Sequence, residues 1–367
     1  MGPLDGVIVA DFSRILAGPY ATMTLGDLGA TVIKVERPCQ GDDTRSWGPP
    51  WVEEGSTYYL GLNRNKKSIA LDLNDESDRA TAQRLVANAD IVVENFRPGN
   101  LAKFGLDARH VLERHPALVY CSITGFGDTR LAATLPGYDL LVQASSGLMS
   151  ITGEPNGQPL KVGVALIDHV CALQAVIGIL AALRHRDRSG VGQHVKVSLM
   201  GAALAALLNQ ASGFALAGVV PTRLGNRHPS IAPYQTFITG EGHLVLACGN
   251  DSQFERAAAV AGVAGLAEDP RFATNPARVA NADDLEQILT AAFGDRSAQE
   301  LAGAMTEAGV PAGTILDIGE AFALADRLGL DPVEESEQPD GVFKSVRSPI
   351  HMSVTPAETR LRPPGLG

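Results

Sequence analysis

Asp168 separates two apolar runs and is the first candidate for chemistry in this sequence. Residues 162–167 form a short apolar run, and a long run of apolar or small residues follows Asp168 before a basic cluster that begins at Arg184. Length and composition predict that the second run is a buried helix that ends near Gly190. A helix start favours anions, because its free N–H groups and its macrodipole both point at the charge. Asp168 could therefore be a simple N-cap, or a carboxylate held anionic as a covalent nucleophile.

Charge and cysteine spacing exclude several classes of function. Of the 367 residues, 45% are hydrophobic, and the net charge is −11. This acidic balance argues against nucleic acid or a membrane surface as a partner, so any phosphate site must be a local basic cluster. The four cysteines lack metal-ligand spacing, which predicts reduced thiols and no bound metal. Because the N-terminal MGPLDG also lacks the pattern of a signal peptide, we predict a cytoplasmic protein.

Short apolar strands alternate with helices in the first part of the chain, which predicts a parallel, doubly wound α/β sheet. The candidate strands occupy residues 6–12, 31–36, 68–73, 91–94, 118–123 and 192–199. A helix that starts near Ala17, with Pro19 in its first turn, joins the first two strands. The turn before this helix reads DFSRILAGPY and lacks the glycines that let a backbone approach a dinucleotide pyrophosphate. This absence argues against an NAD-dependent enzyme.

A change of composition near residue 220 predicts a second, smaller α+β domain. The predicted division is a large α/β domain over residues 1–198 to which residues 340–367 return, a linker helix and loop over 199–225, a small domain over 226–330, and a return linker over 331–339. The Ala-rich residues 199–220 contain Asn209 and Gln210, so we predict a buried helix rather than a membrane span. Asp251 and Ser297 are predicted helix caps.

Nine short motifs occur in order along nearly the whole chain. The motifs are RILAGP (14–19), VIKVER (32–37), GDDTRSW (41–47), NRNKKSIALDL (63–73), VENFRPG (93–99), GYDLLVQASSG (137–147), VGVALID (162–168), GVGQHV (190–195) and GNRHP (225–229). Together they resemble the motifs of the type III CoA-transferases, the family of formyl-CoA transferase, carnitine CoA-transferase and the related acyl-CoA racemases. The resemblance implies an interlocked homodimer, each chain having a large Rossmann-like domain and a small α+β domain, a rare exception to the rule against threaded chains.

The resemblance implies that Asp168 is the catalytic residue. In these transferases the aspartate before the central helix attacks the thioester of an acyl-CoA, and a mixed anhydride and then an aspartyl-CoA thioester form before a carboxylic acid accepts CoA. We expect oxyanion donors at the helix start after Asp168 and among the N–H groups of residues 225–228. We also expect the capping geometry to lower the proton affinity of Asp168.

The alternative enzyme within the family is an α-methylacyl-CoA racemase or epimerase. A racemase needs an acid/base pair, and by resemblance its histidine would occupy the position of Tyr138. Tyrosine is a poor base near neutral pH, so the sequence favours transfer over racemisation. Asp251 matches a carboxylate that racemases use, and without the histidine we predict only a helix cap there. A non-catalytic CoA-binding module is the alternative from another class of protein.

The resemblance alone assigns the remaining residues of the substrate site. The set expected to bind the substrate is Tyr138, Trp47, Leu16, Gly225, Asn226 and His228. Leu16 replaces a glutamine of formyl-CoA transferase, which argues against a formyl substrate. His169 follows the nucleophile, and we expect it to have a core or supporting role.

The phosphates of CoA require cations, and the resemblance supplies candidates for them. The predicted CoA-binding set is Arg37, Leu71, Leu73, Asn95, Phe96, Arg97, Lys103 and Phe104. Arg37 would face the adenosine end, and Lys103 would act on a phosphate as a point charge. Arg97 and Lys66 are equally compatible with solvated surface charges.

We therefore predict a homodimeric CoA-transferase that moves CoA from an acyl-CoA to a free carboxylic acid. A CoA thioester is the expected co-substrate, without a permanently bound cofactor. By similarity to the family, the expected donor is succinyl-CoA or another short dicarboxylyl-CoA, although the sequence does not identify the two acids.

Overall fold

The computed structural model describes residues 2–339 and 341–367. Its strands are β1 (Ile8–Asp11), β2 (Thr31–Glu36), β3 (Trp51–Val52), β4 (Gly55–Ser56), β5 (Lys66–Ala70), β6 (Ile91–Glu94), β7 (Val119–Thr124), β8 (His194–Ser198), β9 (Tyr234–Ile238), β10 (His243–Ala247), β11 (Ala312–Thr314), β12 (Val333–Gln338) and β13 (Gly341–Val346). Its α-helices are α1 (Ala17–Asp27), α2 (Thr57–Leu60), α3 (Glu76–Ala87), α4 (Ala108–Arg114), α5 (Asp139–Ser145), α6 (Leu148–Ile151), α7 (Leu166–Ser189), α8 (Leu199–Ala206), α9 (Leu208–Ala217), α10 (Asp251–Val260), α11 (Asn275–Ala280), α12 (Ala282–Phe293), α13 (Ala298–Glu307) and α14 (Ile318–Arg327).

A six-stranded parallel sheet, in the order β5-β2-β1-β6-β7-β8, confirms the predicted mixed α/β class with a parallel central sheet. Residues of α1 and α7 share a core with its strands, and residues of α3 and α4 belong to a second core. Strand β6 is buried along its whole length, which explains its continuous apolar run. The winding of the sheet reverses between β1 and β6. The carboxyl ends of these two strands therefore flank the crevice where open α/β sheets bind ligands.

Helix α7 packs against α1 and the sheet. Its residues Ile167, Cys171, Ala175 and Ile179 recur every four positions and are buried. The helix ends at Gly190, whose φ of 74° is typical of a helix C-terminus. Length and hydropathy alone would allow α7 to cross a membrane. Its packing in the first core is that of a central helix in an α/β domain.

The prediction of one buried helix over residues 199–220 is wrong. The chain forms α8 and α9 there, and the two helices are bent by 85°. Leu208 has a φ of 46°, which interrupts the regular helical backbone at the bend. Helix α8 is buried in part, whereas α9 exposes Leu208, Phe214 and Leu216, the last to 89%. The Ala-rich composition indicates helix but does not reveal where the backbone breaks.

Packing groups the described residues into two units. The first comprises residues 2–148, 161–220 and 331–367, and the second comprises residues 149–160 and 221–330. The predicted domains differ, since they placed residues 149–160 with the large domain. Arg223 holds that segment in the second unit by donating to the carbonyl oxygens of Glu154 and Gly157, each at 3.2 Å.

The second unit is an α+β arrangement, as predicted. Its antiparallel sheet has the order β11-β10-β9, and Phe237, Leu244, Phe254 and Leu301 belong to its core.

One of the two predicted caps in this unit is confirmed. Ser297 caps α13 by accepting from the N–H of Glu300. Asp251 does not cap α10, because Asn250 supplies that hydrogen bond. Asp251 instead lies 2.7 Å from the fully buried guanidinium of Arg278, where it balances a charge that the core could not otherwise hold.

Asn65 ties the C-terminal segment of the first unit to the edge of the parallel sheet. Its Oδ1 accepts from the N–H groups of Arg360 at 2.7 Å and Leu361 at 3.0 Å. Its own N–H donates to the carbonyl oxygen of Leu361 at 2.8 Å. Strand β5 is thus held by β2 on one side and is preceded by a residue bound to the last part of the chain.

Candidate active site

Asp168 lies within the first turn of α7 and not at its cap. The helix begins at Leu166, and the preceding Ala165 supplies no side-chain hydrogen bond. The N-cap interpretation of Asp168 is therefore wrong. The Asp168 side chain is half-buried. Within residues 2–339 and 341–367 its carboxylate accepts no hydrogen bond and forms no ion pair, which leaves both oxygens available to an electrophile.

The start of α7 is capped from another helix, by Asp139. Its Oδ2 accepts from the N–H of Ile167 at 2.7 Å and from the N–H of Asp168 at 3.1 Å. Its Oδ1 accepts from Nε2 of Gln143, one turn further along α5. The Oε1 of Gln143 in turn accepts from the N–H of Val162 at 2.9 Å. Neither side chain was predicted to belong to the site, although an acid followed four residues later by an amide indicates a shared helix face.

This capping leaves the helix start without free donors, so the prediction that it stabilises an oxyanion is wrong. The N–H groups of Ile167 and Asp168 bind Asp139, and those of Leu166 and His169 donate to Val164 and Ala165. In the second unit, the N–H groups of Gly225, Arg227 and His228 also have backbone acceptors. Among the described residues of that loop, the N–H of Asn226 is the remaining candidate donor.

The expected loss of proton affinity at Asp168 is also contradicted. Burial, and after it the carboxylate of Asp139, raises the pKa of Asp168 from 3.8 to about 7. The helix N–H groups that would oppose this rise already bind Asp139. An ionised carboxylate with a raised pKa is a stronger base and therefore a stronger nucleophile than an ordinary aspartate.

Aromatic side chains of the first unit lie near this carboxylate. Burial, together with Asp168, Asp139 and Asp42, raises the pKa of Tyr58 to about 12, so the Tyr58 hydroxyl stays neutral. The ring of Trp47 contacts Tyr58 edge-on, with 5.3 Å between the ring centroids. Sequence reasoning identified Trp47 but missed Tyr58.

Two further side chains flank the same region. The ring of His169 packs edge-on against Tyr20 at 4.6 Å, which fits the predicted supporting role. Tyr138 immediately precedes α5 and is 58% exposed. Tyr138 is therefore accessible to a ligand, as a substrate-binding residue must be.

A strained turn positions Leu16 after strand β1. Ile15 has a φ of 73°, which is rare for a β-branched residue and indicates strain. The carboxylate of Asp42 accepts from the Ile15 N–H at 3.2 Å and from Nζ of Lys34 at 2.9 Å, and both of these charged side chains are fully buried. Leu16 then precedes α1 without capping it.

A second buried ion pair lies beneath the same turn. Nζ of Lys66 is 3.1 Å from Asp11 Oδ2, and neither side chain is exposed. Burial alone would raise the pKa of Asp11. The ammonium groups of Lys66 and Lys34 outweigh this effect and lower the pKa to about 2. Lys66 is therefore neither a phosphate ligand nor a surface charge, and both interpretations of this residue are wrong.

Most of the residues predicted to bind CoA follow the carboxyl ends of the parallel strands, and Lys103 and Phe104 lie in a short 3-10 helix, Ala102–Phe104. Arg37 follows β2, Leu71 and Leu73 follow β5, and residues 95–97 follow β6. Leu71 is buried in the core and Leu73 is partly buried. Arg37 forms an ion pair with Asp43 at 2.6 Å, so a phosphate would have to compete with that carboxylate.

Asn95 joins the loops after β1 and β6. Its Oδ1 accepts from the Arg14 N–H at 2.9 Å, and its Nδ2 donates to the Arg14 carbonyl oxygen at 2.7 Å. The Arg14 guanidinium lies 5.4 Å from the centroid of Phe96. Nζ of Lys103 lies 4.5 Å from the centroid of Phe104, while Arg97 is exposed. The contacts with Arg14 place Asn95 and Phe96 at the crevice between β1 and β6.

A cavity of about 380 Å³ lies beside this crevice, over β6, β7 and β8. Phe96 and Arg97 line it together with Glu94, Ser122 and His194, but Asp168 does not. Burial raises the pKa of Glu94 to about 7, although hydrogen bonds from the Ser122 hydroxyl and the Phe96 N–H act to lower it. The cavity is therefore separate from the nucleophile and contiguous with part of the predicted CoA-binding set.

The loop that carries the other predicted substrate residues lies in the second unit. Gly225 and Asn226 line a cavity of about 480 Å³, and Nδ2 of Asn226 donates to Thr236 at 3.0 Å. The His228 ring contacts Tyr234, with 5.3 Å between centroids.

Across residues 2–339 and 341–367, no group of three or more potential metal ligands is present.

Comparison with known proteins identifies one family. The sequence profile of CoA-transferase family III matches residues 4–367. The chain is 45% identical to the succinate–glutarate CoA-transferase of Agrobacterium fabrum, covering 100% of this chain and 93% of that protein. It is 40% identical to the succinyl-CoA:glutarate CoA-transferase of Homo sapiens, over 99% and 83% of the two chains. The crystal structure of a CAIB/BAIF family protein from Brucella suis superimposes with a TM-score of 0.87 at 43% identity, covering 100% and 96%.

The raised pKa of Asp168 predicts that its ionised side chain destabilises the fold. The folded protein holds the proton more tightly than the unfolded chain does, so the cost is absent below about pH 3.8, grows up to about pH 7 and is complete above it. Because the side chain is half-buried, we expect Asp168→Asn to raise the free energy of unfolding by about 1–3 kcal/mol at pH 8 and by less at pH 5.

Denaturant unfolding at the two pH values measures this difference. Asp187→Asn, at an exposed position of the same helix, is the matched control and should change little at either pH. A gain for Asp168→Asn that is equal at pH 5 and pH 8 would contradict a pKa near 7.

Proposed function

The chain belongs to CoA-transferase family III, as its nine motifs predicted, and we propose that it transfers CoA between succinyl-CoA and glutarate or a dicarboxylate of similar length. Its co-substrates are CoA thioesters. We choose these acids because the Agrobacterium and human relatives, each matched over at least 99% of this chain, are both named for succinate or succinyl-CoA and glutarate.

The proposed reaction is a double displacement at Asp168. A carboxylate oxygen of Asp168 attacks the thioester carbonyl, the C–S bond breaks, and a mixed anhydride and CoA thiolate form. The thiolate attacks the aspartyl carbon of the anhydride, which releases the donor acid and leaves an aspartyl-CoA thioester. The acceptor carboxylate attacks that thioester, and the released thiolate then attacks the acceptor acyl carbon of the new anhydride. The products are the new acyl-CoA and free Asp168, and no proton is taken up or lost.

The unpaired Asp168 carboxylate supports this role. A carboxylate that already accepted hydrogen bonds would have to lose them at each attack, and Asp168 accepts none within the described residues. Its raised pKa makes it more nucleophilic when it is ionised. Only the ionised form can attack, so we expect turnover to require pH values near or above 7.

We assign CoA to the carboxyl edge of the parallel sheet. Arg37, Arg97 and Lys103 supply cations there, and Phe96 and Phe104 supply apolar surface. In a chain of net charge −11, such a local cluster is what a polyanionic cofactor tail requires.

We also propose that the active enzyme is an interlocked homodimer, as the family resemblance implies. Helix α9 exposes apolar side chains, among them Phe214 at 59% and Leu216 at 89%. Exposed apolar surface of this kind is typical of a protein–protein interface, which supports the proposal that another chain covers α9. A second copy of this chain is the occupant that we propose.

Acid specificity is tested by incubating the protein with succinyl-CoA and a panel of free acids, and by measuring the new acyl-CoA species by mass spectrometry. We expect glutaryl-CoA to form faster than formyl-CoA or the CoA ester of a monocarboxylic acid. Formation of the monocarboxylic product at an equal rate would contradict the dicarboxylate proposal. Solvent deuterium at the α-carbon of the acyl-CoA would indicate racemisation instead.

The covalent step is tested at Asp168 itself. We expect parent protein treated with succinyl-CoA and then hydroxylamine to carry a hydroxamate on the peptide that contains Asp168. Asp168→Asn should remain folded, give no such adduct and lose at least about 10³-fold in turnover. Asp187→Asn should keep the parental rate, and an Asp168→Asn variant that also keeps that rate would rule out this mechanism.

Interlocking makes a prediction about subunit exchange. The protein should have twice the mass of one chain by light scattering. Tagged and untagged dimers mixed at 25 °C should form no mixed dimers, because interlocked chains cannot separate without unfolding. Mixed dimers should form after joint unfolding and refolding. Rapid exchange in the native state would leave a dimer but exclude an interlocked one.

A further inference from the structure

We propose that Asp139 is the positioning residue of this site, fixing the start of α7 through its two oxygens and keeping a negative charge beside Asp168 throughout the reaction. The proposal rests on the proposed function, in which Asp168 is the nucleophile. It assigns Asp139 no contact with the substrate.

The two oxygens of Asp139 accept three hydrogen bonds, the pattern typical of a carboxylate. Its Oδ2 accepts from two backbone N–H groups, of Ile167 and Asp168, and its Oδ1 accepts from the amide of Gln143. A protonated carboxyl would present a donor to one of these donors. The side chain is only 9% exposed, so water cannot readily replace a lost partner.

Helix α5 provides the rigid support for this contact. Asp139 and Gln143 lie four residues apart on one buried face of α5. Gln143 also accepts from the Val162 N–H at 2.9 Å and lies 3.4 Å from the carbonyl oxygen of Val164. The backbone that leads to Asp168 is therefore bound to α5 at several points, which limits how far the nucleophile can move.

The charge of Asp139 has a separate effect on the chemistry. Asp168 is negative when it is free, and it becomes neutral in both the anhydride and the thioester. A neighbouring negative charge destabilises the free form but not these neutral intermediates. Asp139 therefore raises the free energy of the free, ionised form of Asp168 relative to its acylated forms, and the negative charge passes to the departing CoA thiolate.

The other titratable groups around Asp168 do not supply this charge. Tyr58 on α2 and Cys171 one turn along α7 have pKa values raised to about 12 by burial, so both are neutral in the working range. On the α1 side, Tyr20 and His169 pack on each other. Burial is the largest cause of the raised pKa of Asp168, and Asp139 is the charged group that adds to it.

The test compares the pH dependence of kcat/KM for the parent, Asp139→Asn and Gln143→Leu. Asp139→Asn keeps an acceptor oxygen for the two backbone N–H groups, removes the charge, and replaces the oxygen that accepts from Gln143 by an amide donor. In this variant we expect the fall of kcat/KM at acid pH, the acid limb of the profile, to move to lower pH by about one unit. The maximal kcat/KM should also be lower, because the nucleophile is less basic. Gln143→Leu loosens the same contact but keeps the charge of Asp139. It should lower kcat without moving the limb to lower pH.

A purely structural cap would lower kcat in both variants and leave both acid limbs at the parental pH, and this result would overturn the proposal. If Asp139→Asn fails to fold, Asp139→Glu replaces it. The longer acid keeps the charge, so its limb should stay near the parental pH while kcat falls. A limb moved to lower pH in Asp139→Glu would equally contradict the proposal.

Carbon-13 NMR titration of the Asp168 carboxyl, assigned by its loss in Asp168→Asn, separates this inference from the proposed function. A parent that forms no Asp168 adduct refutes the function. The titration still reports whether Asp139→Asn lowers the Asp168 pKa, and an unchanged value refutes the inference whatever the catalytic role of Asp168.

Discussion

Two carboxylates meet at the start of α7, and only one of them is paired. Asp139 takes the N–H groups of Ile167 and Asp168 that a helix start offers to an anion. Asp168 is left half-buried, beside a like charge and without a hydrogen bond among the described residues. This arrangement costs stability, since no hydrogen bond and no cation among the described residues compensates the Asp168 charge. Reactivity toward an electrophile is the property that such a carboxylate gains.

The rest of the first unit supplies the rigidity that this arrangement requires. Helix α7 is fixed by its apolar face in the core, while two buried ion pairs, Lys34 with Asp42 and Lys66 with Asp11, lie under the turn after β1. Asp42 also binds the N–H of the strained Ile15. Strained backbone persists where its surroundings over-determine it, and such positions cluster at functional sites. Asn95 then joins this turn to the loop after β6.

Local sequence patterns predicted the strands and the helix ends. Contacts between residues distant in sequence determined the features that these patterns did not predict. The strands after Gly6 and around Ile91 are apolar because both faces of the sheet are covered, so their composition alone revealed them. Gly190 marked the end of α7 for an equally local reason. Lys66 has a basic surface-like sequence context, yet its partner Asp11 lies on another strand. The proton affinity of Asp168 was predicted with the wrong sign, because Asp139, which takes the helix donors, lies far away in sequence. The bend at Leu208 has no sequence signal that we can identify.

The binding of Asn65 to Arg360 and Leu361 has a consequence for synthesis on the ribosome. Asn65, the residue before β5, lies 295 residues before Arg360 in the chain, so it finds these backbone partners only after all of those residues have been synthesised. The first unit is also interrupted twice by segments of the second. The contacts of Asn65 therefore stay unformed while these intervening residues are translated. A nascent chain of this kind leaves its first unit incomplete for longer than a chain with contiguous domains does, and its yield should depend on protection by chaperones during that interval.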